Sequence, residues 1–403
     1  MNEIARKGWC PSLFAPMASG DGLLLRVRPP GGVLTGEAAR ALAGAAAEHG
    51  NGVVELTNRA SIQARGFRDG SVPPFAARMI AVGLADPDPA AEARRAVIAP
   101  PLSGDDPTAH PDAARAVRAV EDMLARETRL SALPPKFGVL VDAGGVLPVG
   151  TAPADIRVHL TGEGPQMADV SLDGSDLAAR GDPADLVLRL ALAFLALGGG
   201  RRMRAVAADT VFAQAGLAAA PVAPASAPGA AAGWLAYPGT GRGAFAVGLP
   251  FGGTDAATLA ALADLSGEFG DGTLRVTPFR AFALPGVTDP AGLRVRVERL
   301  GLIASADDPR TRIEACPGAP ACASASVPIR ADAVRLAALA LPGTLHLSGC
   351  AKGCAHPATA DITLVGEAGR YAIVRHGRAG DAPEARGLSL ADVENILTER
   401  PIA

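Results

Sequence analysis

Residues 23–57 of this chain recur, without a gap, as residues 243–277, and ten of the 35 aligned positions are identical. The matches include Pro30/Pro250, Gly32/Gly252, Leu42/Leu262, Glu48/Glu268, Gly50/Gly270, Gly52/Gly272 and Thr57/Thr277. Alanine-rich composition inflates alanine matches, but it does not produce a conserved Gly-x-Gly register or paired prolines. Each copy reads as strand, Pro-Gly loop, helix, Gly-x-Gly turn, strand. In the first copy Thr35 is a candidate N-cap for a helix reaching His49, with an Ala/Leu face. The short β-branched run at residues 53–57 then predicts a strand. A chain that carries one unit twice is constrained to fold as two related halves.

A second correspondence follows the first. Leu133-Pro134 opens one segment and Leu341-Pro342 its counterpart, and Ala154-Asp155-Ile156 then matches Ala360-Asp361-Ile362. Each half therefore holds a strand–helix–strand unit followed by a larger α/β unit. Residues 218–233, rich in Ala and Pro without periodicity, predict a semi-extended linker between the halves. A pseudo-two-fold protein of this kind offers a cleft between related domains, where ligands commonly bind.

Composition excludes some functions. A formal net charge of −3 gives no general attraction to nucleic acid or to an anionic membrane. Residues 1–11 carry Arg6, Lys7 and Cys10 but no apolar core of a signal peptide. The most apolar stretch, residues 186–197, is interrupted by Arg189 and is too short to span a bilayer; it predicts a buried helix. The expected location is cytoplasmic and reducing, where clustered cysteines bind metal more readily than they form disulfides.

Four of the five cysteines lie close together: Cys316 and Cys322, then Cys350 and Cys354. Structural zinc favours pairs separated by two or four residues, which this spacing fits poorly. A [4Fe–4S] cluster takes thiolates from several directions and accommodates longer, irregular spacings. Gly349 and Gly353 give the backbone freedom around the second pair. Four inert buried cysteines are the plain alternative.

The stretch Cys316-Pro-Gly-Ala-Pro-Ala-Cys322, followed by Ser348-Gly-Cys350-Ala-Lys-Gly-Cys354, resembles the signature of the sirohaem nitrite and sulfite reductases. The resemblance covers nearly the whole chain. It implies an internally duplicated α+β fold: two ferredoxin-like half-domains in a central pseudo-two-fold domain, with two α/β lobes. It implies a [4Fe–4S] cluster on Cys316, Cys322, Cys350 and Cys354, the last being the cysteine that would bridge to sirohaem. Leu56-Thr57-Asn58-Arg59, with Gln63, is similar to the family's tetrapyrrole-contacting strand. Arg94-Arg95-Ala-Val is similar to its second anion-contacting arginine motif, and Leu133-Pro134-Pro135-Lys136-Phe137 to its Leu-Pro-x-Lys-Phe segment. The sulfite reductases carry a second lysine two residues after the first; here that position is Gly138, which weakens an oxyanion grip.

The run Lys7-Gly-Trp-Cys-Pro-Ser-Leu, with Pro16-Met17, Ser19-Gly20-Asp21-Gly22 and Cys354-Ala-His356-Pro357, is more similar to the precorrin-3B synthases, the cobalamin-pathway monooxygenase branch. That resemblance implies oxygen-dependent hydroxylation of precorrin-3A with γ-lactone formation. It also implies a mononuclear non-haem iron beside the cluster, with a tetrapyrrole as substrate in place of a resident sirohaem. No dinucleotide fingerprint is present; Gly239-Thr-Gly241-Arg-Gly243 has the wrong spacing. Electrons from NADH are therefore expected through a separate donor protein. A sirohaem-dependent reductase, and a non-catalytic tetrapyrrole-binding or electron-transfer protein, are the competing readings.

The expected domains are residues 1–90 (half-domain 1), 91–217 (lobe 1), 218–233 (linker), 234–305 (half-domain 2) and 306–403 (lobe 2, with the cysteines). Arg59, Arg65, Arg95 and Lys136, with Gln63, are the expected substrate contacts, because an arginine fork pairs a carboxylate bidentately. Ordinary ion-paired arginines are the alternative. Arg280 lies near the copy-two equivalent of Arg59. Cys10 is expected to be structural. Of the six histidines, His346 and His356 lie nearest the cysteines, but no compact iron-ligand set is legible.

Overall fold

The computed structural model describes residues 10–162, 167–200, 202–223, 225, 227 and 230–399. Lys7, Gly8 and Trp9 of the N-terminal motif, and four residues of the Ala/Pro linker, lie outside the described residues. The chain divides into two compact units. Residues 18–24 with 305–399 form one, and residues 10–17 with 25–304 form the other.

The duplication is visible in the second of these units. The first helix is Gly36–His49, and the Thr35 hydroxyl accepts from Ala38 N at 3.1 Å, as an N-cap should. Its counterpart, Ala256–Phe269, is capped by Asp255, which accepts from Thr258 N at 2.7 Å. The two helices pack against each other. Small residues line the buried face of the first: Ala38, Ala39, Ala41, Leu42, Ala43, Ala45 and Ala46. Each helix is followed by a pair of antiparallel strands, Val53–Leu56 with Ile62–Phe67 and Thr273–Val276 with Ala281–Val287.

The halves also exchange strands. Val33–Thr35 of the first copy pairs with Thr273–Val276 of the second, Thr35 opposite Thr273. Gly253–Asp255 of the second copy pairs with Val53–Leu56 of the first, Asp255 opposite Val53. Each copy thus completes the other's five-stranded sheet, so neither sheet is whole without both copies. Left-handed backbone recurs at the same offset: Gly31 (φ 58°) and Phe251 (φ 55°), Ala60 (φ 48°) and Arg280 (φ 55°). A non-glycine residue pays about 1–2 kcal/mol to sit there, so the shared turn is imposed by the surrounding fold. It also shows that Arg280 is the equivalent of Ala60 and stands one residue out of register with Arg59.

The second correspondence holds equally well. The strands Val97–Ile98, Val139–Asp142 and Ile156–Leu160 are parallel, and Ala168–Leu172 and Leu177–Gly181 follow antiparallel. In the other unit Ile313–Ala315, Leu345–Ser348 and Ala360–Glu367 are parallel, and Arg370–Gly377 and Ala385–Leu388 follow antiparallel. The matched aspartates do the same work. Asp155 accepts from Gly138 N at 3.1 Å and Asp361 from Thr344 N at 2.7 Å, each tying the start of the third strand to the residue before the second. Residues 186–196 belong to the helix Pro183–Ala196, with Leu197 as its C-cap; it is capped at its start by Asp182 and buried through Leu186, Val187, Leu190 and Phe194. The linker is less open than its composition suggests: Ala220–Pro221 pairs with Leu177 and Ala178 as an edge strand. Proline is tolerated there because an edge leaves one side of the backbone unpaired. No helix among the described residues is long and apolar enough to cross a membrane.

Candidate functional site

The cysteines lie at the C-terminal ends of parallel strands, where α/β sheets present their loops for binding. Cys316 directly follows Ile313–Ala315, and Cys350 lies two residues beyond Leu345–Ser348. Those strands are neighbours in register, Ala315 opposite Leu347, so the two loops leave the same sheet edge side by side. The 316–322 loop is a closed turn: Cys322 N donates to Gly318 O at 2.8 Å and Ala319 N to Val327 O at 2.9 Å. Cys316 is buried, Cys322 and Cys350 are half-buried, and Cys354 is exposed. Gly349 N donates to Cys316 Sγ at 3.1 Å, and the Ser348 hydroxyl donates to Cys350 O at 2.6 Å. Burial pushes the Cys316 thiol above its ordinary pKa; the N–H groups of Gly349 and Gly318 oppose that shift, and the Cys322 and Cys354 thiols add to it.

The two glycines of the second pair are there for different reasons. Gly353 has φ 61° and turns the chain between Cys350 and Cys354. Gly349 has an ordinary φ, but a Cβ on it would stand 2.5 Å from Ala325 Cβ, so it is required by close approach.

An N-terminal turn braces the first cysteine loop. The Ser19 hydroxyl donates to Ala321 O at 2.7 Å, and Gly20 N donates to the same oxygen at 3.1 Å. A Cβ on Gly20 would stand 2.4 Å from Pro320 O. The Ser19-Gly20 motif is therefore part of the cysteine site, although about 300 residues separate the two in the chain.

Among the described residues, no three Cys, His, Asp or Glu side chains converge as the ligands of one ion would. The Cys322 and Cys354 thiols act electrostatically on Cys316, and four soft thiols with an N–H donated to the most buried one are a donor set that fits an iron–sulfur cluster. His346 is fully buried on its strand, its ring edge-on to His356 at 5.7 Å between centroids. The His356 ring also lies 3.3 Å from Thr359 O. No ligand set for a mononuclear iron is formed among the described residues.

The other unit holds a small pocket lined by Arg26, Arg28, Arg59 and Lys136, with Cys10, Ser61 and Gly138 in its wall. Among the described residues no carboxylate lines it, so the charged lining they form is cationic. Burial depresses the Arg28 pKa to about 10, and the neighbouring Arg26 charge adds to this. Burial likewise lowers that of Arg59, followed by repulsion from Arg202. Cations pressed together in this way gain from a bound anion. The Arg26 Nε is buried without a hydrogen-bond partner. Arg59 is oriented by donating from Nη1 to Lys136 O at 2.8 Å. It stands over Gly138, where a Cβ would lie 3.2 Å from Arg59 Nη1.

The structure brings Arg59 and Lys136 together but gives the other expected contacts different surroundings. Arg65 is buried and pairs with Glu55 at 3.2 Å. Arg95 is buried between Glu92, at 2.6 Å, and Glu121, at 3.8 Å, and its Nη2 donates to Arg28 O at 2.9 Å. It supports the pocket from behind and does not line it. Gln63 is half-buried opposite Glu55 on the adjacent strand, also outside the pocket lining. Cys10 is a wall of the cationic pocket, a position that residue type alone did not suggest. Arg26 and Arg28 were missed, although a signal exists: two arginines at strand spacing, directly before Pro29-Pro30, share one face.

Comparison with known proteins follows from this geometry. The nitrite/sulfite reductase ferredoxin-like half domain matches residues 15–82 and 238–291, the two copies that exchange strands. A precorrin-3B synthase from Sinorhizobium sp is 34% identical over 396 residues, covering 94% of this chain and 85% of its own length. The chain belongs to the nitrite/sulfite reductase superfamily, as a homologue of precorrin-3B synthase. Within that superfamily, a ferredoxin–nitrite reductase from Leptolyngbya laminosa is 30% identical over 141 residues, 34% of this chain and 28% of its own. The structure of Mycobacterium tuberculosis NirA protein shares the fold, with a TM-score of 0.68 at 20% identity over 93% of this chain and 79% of that one.

Proposed function

We propose that this chain is a precorrin-3B synthase, hydroxylating precorrin-3A with dioxygen and closing a γ-lactone. The observation that carries the reading is the pocket of Arg26, Arg28, Arg59 and Lys136, without a lining carboxylate among the described residues, in a homologue of a protein of that name. A precorrin is rimmed with carboxylate arms. The arginine forks bind such arms with directed, charge-assisted hydrogen bonds. Arg59, fixed on Lys136 O, orients one of them, while Arg95 holds Arg28 in place through its backbone oxygen.

A [4Fe–4S] cluster held by Cys316, Cys322, Cys350 and Cys354 would supply single electrons to the reaction. Inserting one oxygen atom of O₂ and reducing the other to water takes two electrons and two protons. NADH supplies these through a donor protein, which the absence of a dinucleotide fingerprint favours. Gly138, standing where the sulfite reductases carry a lysine, counts against a sirohaem-dependent reductase. Incubation of the anaerobically purified protein with precorrin-3A, reductant and ¹⁸O₂ tests the reading: one labelled oxygen should enter the macrocycle. Unlabelled product, or intense sirohaem absorption bands in the purified protein, overturns it.

A further inference from the structure

We infer that Gly366 is a positioning residue for Cys316, acting through Gly349, and that it tunes the redox potential of the centre held by the cysteines. The inference rests on the cluster proposed above. Leu345–Ser348 and Ala360–Glu367 are parallel neighbours with Ser348 opposite Val365, so the next residues, Gly349 and Gly366, meet across the sheet edge. Neither has a left-handed φ, and both are glycine for want of space. A Cβ on Gly366 would stand 3.1 Å from Gly349 O and 3.4 Å from Gly349 C. On its other side the Gly349 backbone is closed in by Ala325. The segment is held between these two contacts.

In that position Gly349 N donates to Cys316 Sγ at 3.1 Å. Cys316 is 8% exposed, so water cannot readily replace the bond once Gly349 is displaced. Hydrogen bonds to cluster sulfurs favour the more negatively charged, reduced state and so raise the potential. A side chain at position 366 must push Gly349 away and weaken that bond, without touching any ligand. Gly366 thus acts on the centre through a neighbouring backbone.

The test uses the full chain with its cluster. Gly366→Ala alone would also meet Val327 Cγ2 at 2.4 Å, so the decisive comparison is Val327→Ala against Val327→Ala/Gly366→Ala. Iron and sulfide content, the midpoint potential from an EPR-monitored titration, and the resonance Raman Fe–S(Cys) bands are measured for both. The double variant should keep its cluster, show a lower midpoint potential and move an Fe–S(Cys) band to higher frequency. A double variant with the potential and bands of Val327→Ala overturns it while leaving the cluster reading intact. A parent protein that binds no iron–sulfur cluster overturns both.

Discussion

Gly20→Ala should loosen the 316–322 loop, and the size of the effect follows from three contacts. The new Cβ would lie 2.4 Å from Pro320 O, 2.9 Å from Ala323 N and 3.1 Å from Ala321 C. All three are backbone atoms, so no side-chain rotation relieves the overlap; the loop must move. Overpacking of this kind costs about 1–3 kcal/mol. Moving the loop also weakens the bond from Gly20 N to Ala321 O, a further net loss of about 0.5–1.5 kcal/mol. Gly20 does not have a left-handed φ, so elsewhere the same change would stabilise by about 0.4–1 kcal/mol through the unfolded chain. The expected sign is therefore opposite to the generic one. Ser19→Ala removes the hydroxyl bond to Ala321 O, leaves that oxygen with the Gly20 donor, and should cost about 1 kcal/mol. Urea unfolding followed by circular dichroism, with iron content measured in parallel, reads both variants. Gly20→Ala should have the lower midpoint and hold less iron. A midpoint at or above that of the parent would refute the bracing role of this turn.

Further outcomes are expected at the other sites. Cys350→Ser and Cys354→Ser should each strip the brown colour of the anaerobic protein and stop turnover, checked by visible absorbance and iron analysis. Arg59→Ala should keep the colour and weaken tetrapyrrole binding by roughly 10- to 100-fold, the loss of one charge-assisted bond; fluorescence quenching titration measures it. His159 pairs with buried Asp142 at 3.6 Å, and that carboxylate holds the histidine pKa above its ordinary value. A raised histidine pKa contributes stability that is fully present below the unfolded value, about 6.5, and is lost as pH rises through the folded value. Parent and His159→Gln should therefore differ in urea midpoint below pH 6 and converge in mildly alkaline buffer; a gap independent of pH would count against the pairing.

The features legible in the sequence were local or periodic. Thr35 as a cap, the buried helix at residues 186–197 and the 220-residue repeat depend on neighbours a few positions away or on pattern alone. The cysteine set stood out because four thiols in one short segment have few common explanations. Gly349 was noticed for the wrong reason: its role is to admit Ala325 and Gly366 closely, which no local conformational rule reveals. The same holds for Ser19-Gly20, recognisable as a motif but without a visible partner until the 316–322 loop closes over it.

The sequence by itself determined the duplication, the class of each element and the thiol inventory, because hydrogen-bond periodicity and side-chain chemistry act over one or two turns of chain. Tertiary structure decided which arginines line the cationic pocket. Arg95 found Glu121, and Arg65 found Glu55 across a strand pair, while Arg26 and Arg28 met no carboxylate of the described residues within the pocket they line. A guanidinium takes the nearest carboxylate when burial removes water. Which carboxylate is nearest depends on strand register and helix packing, and those are settled only when distant segments come together.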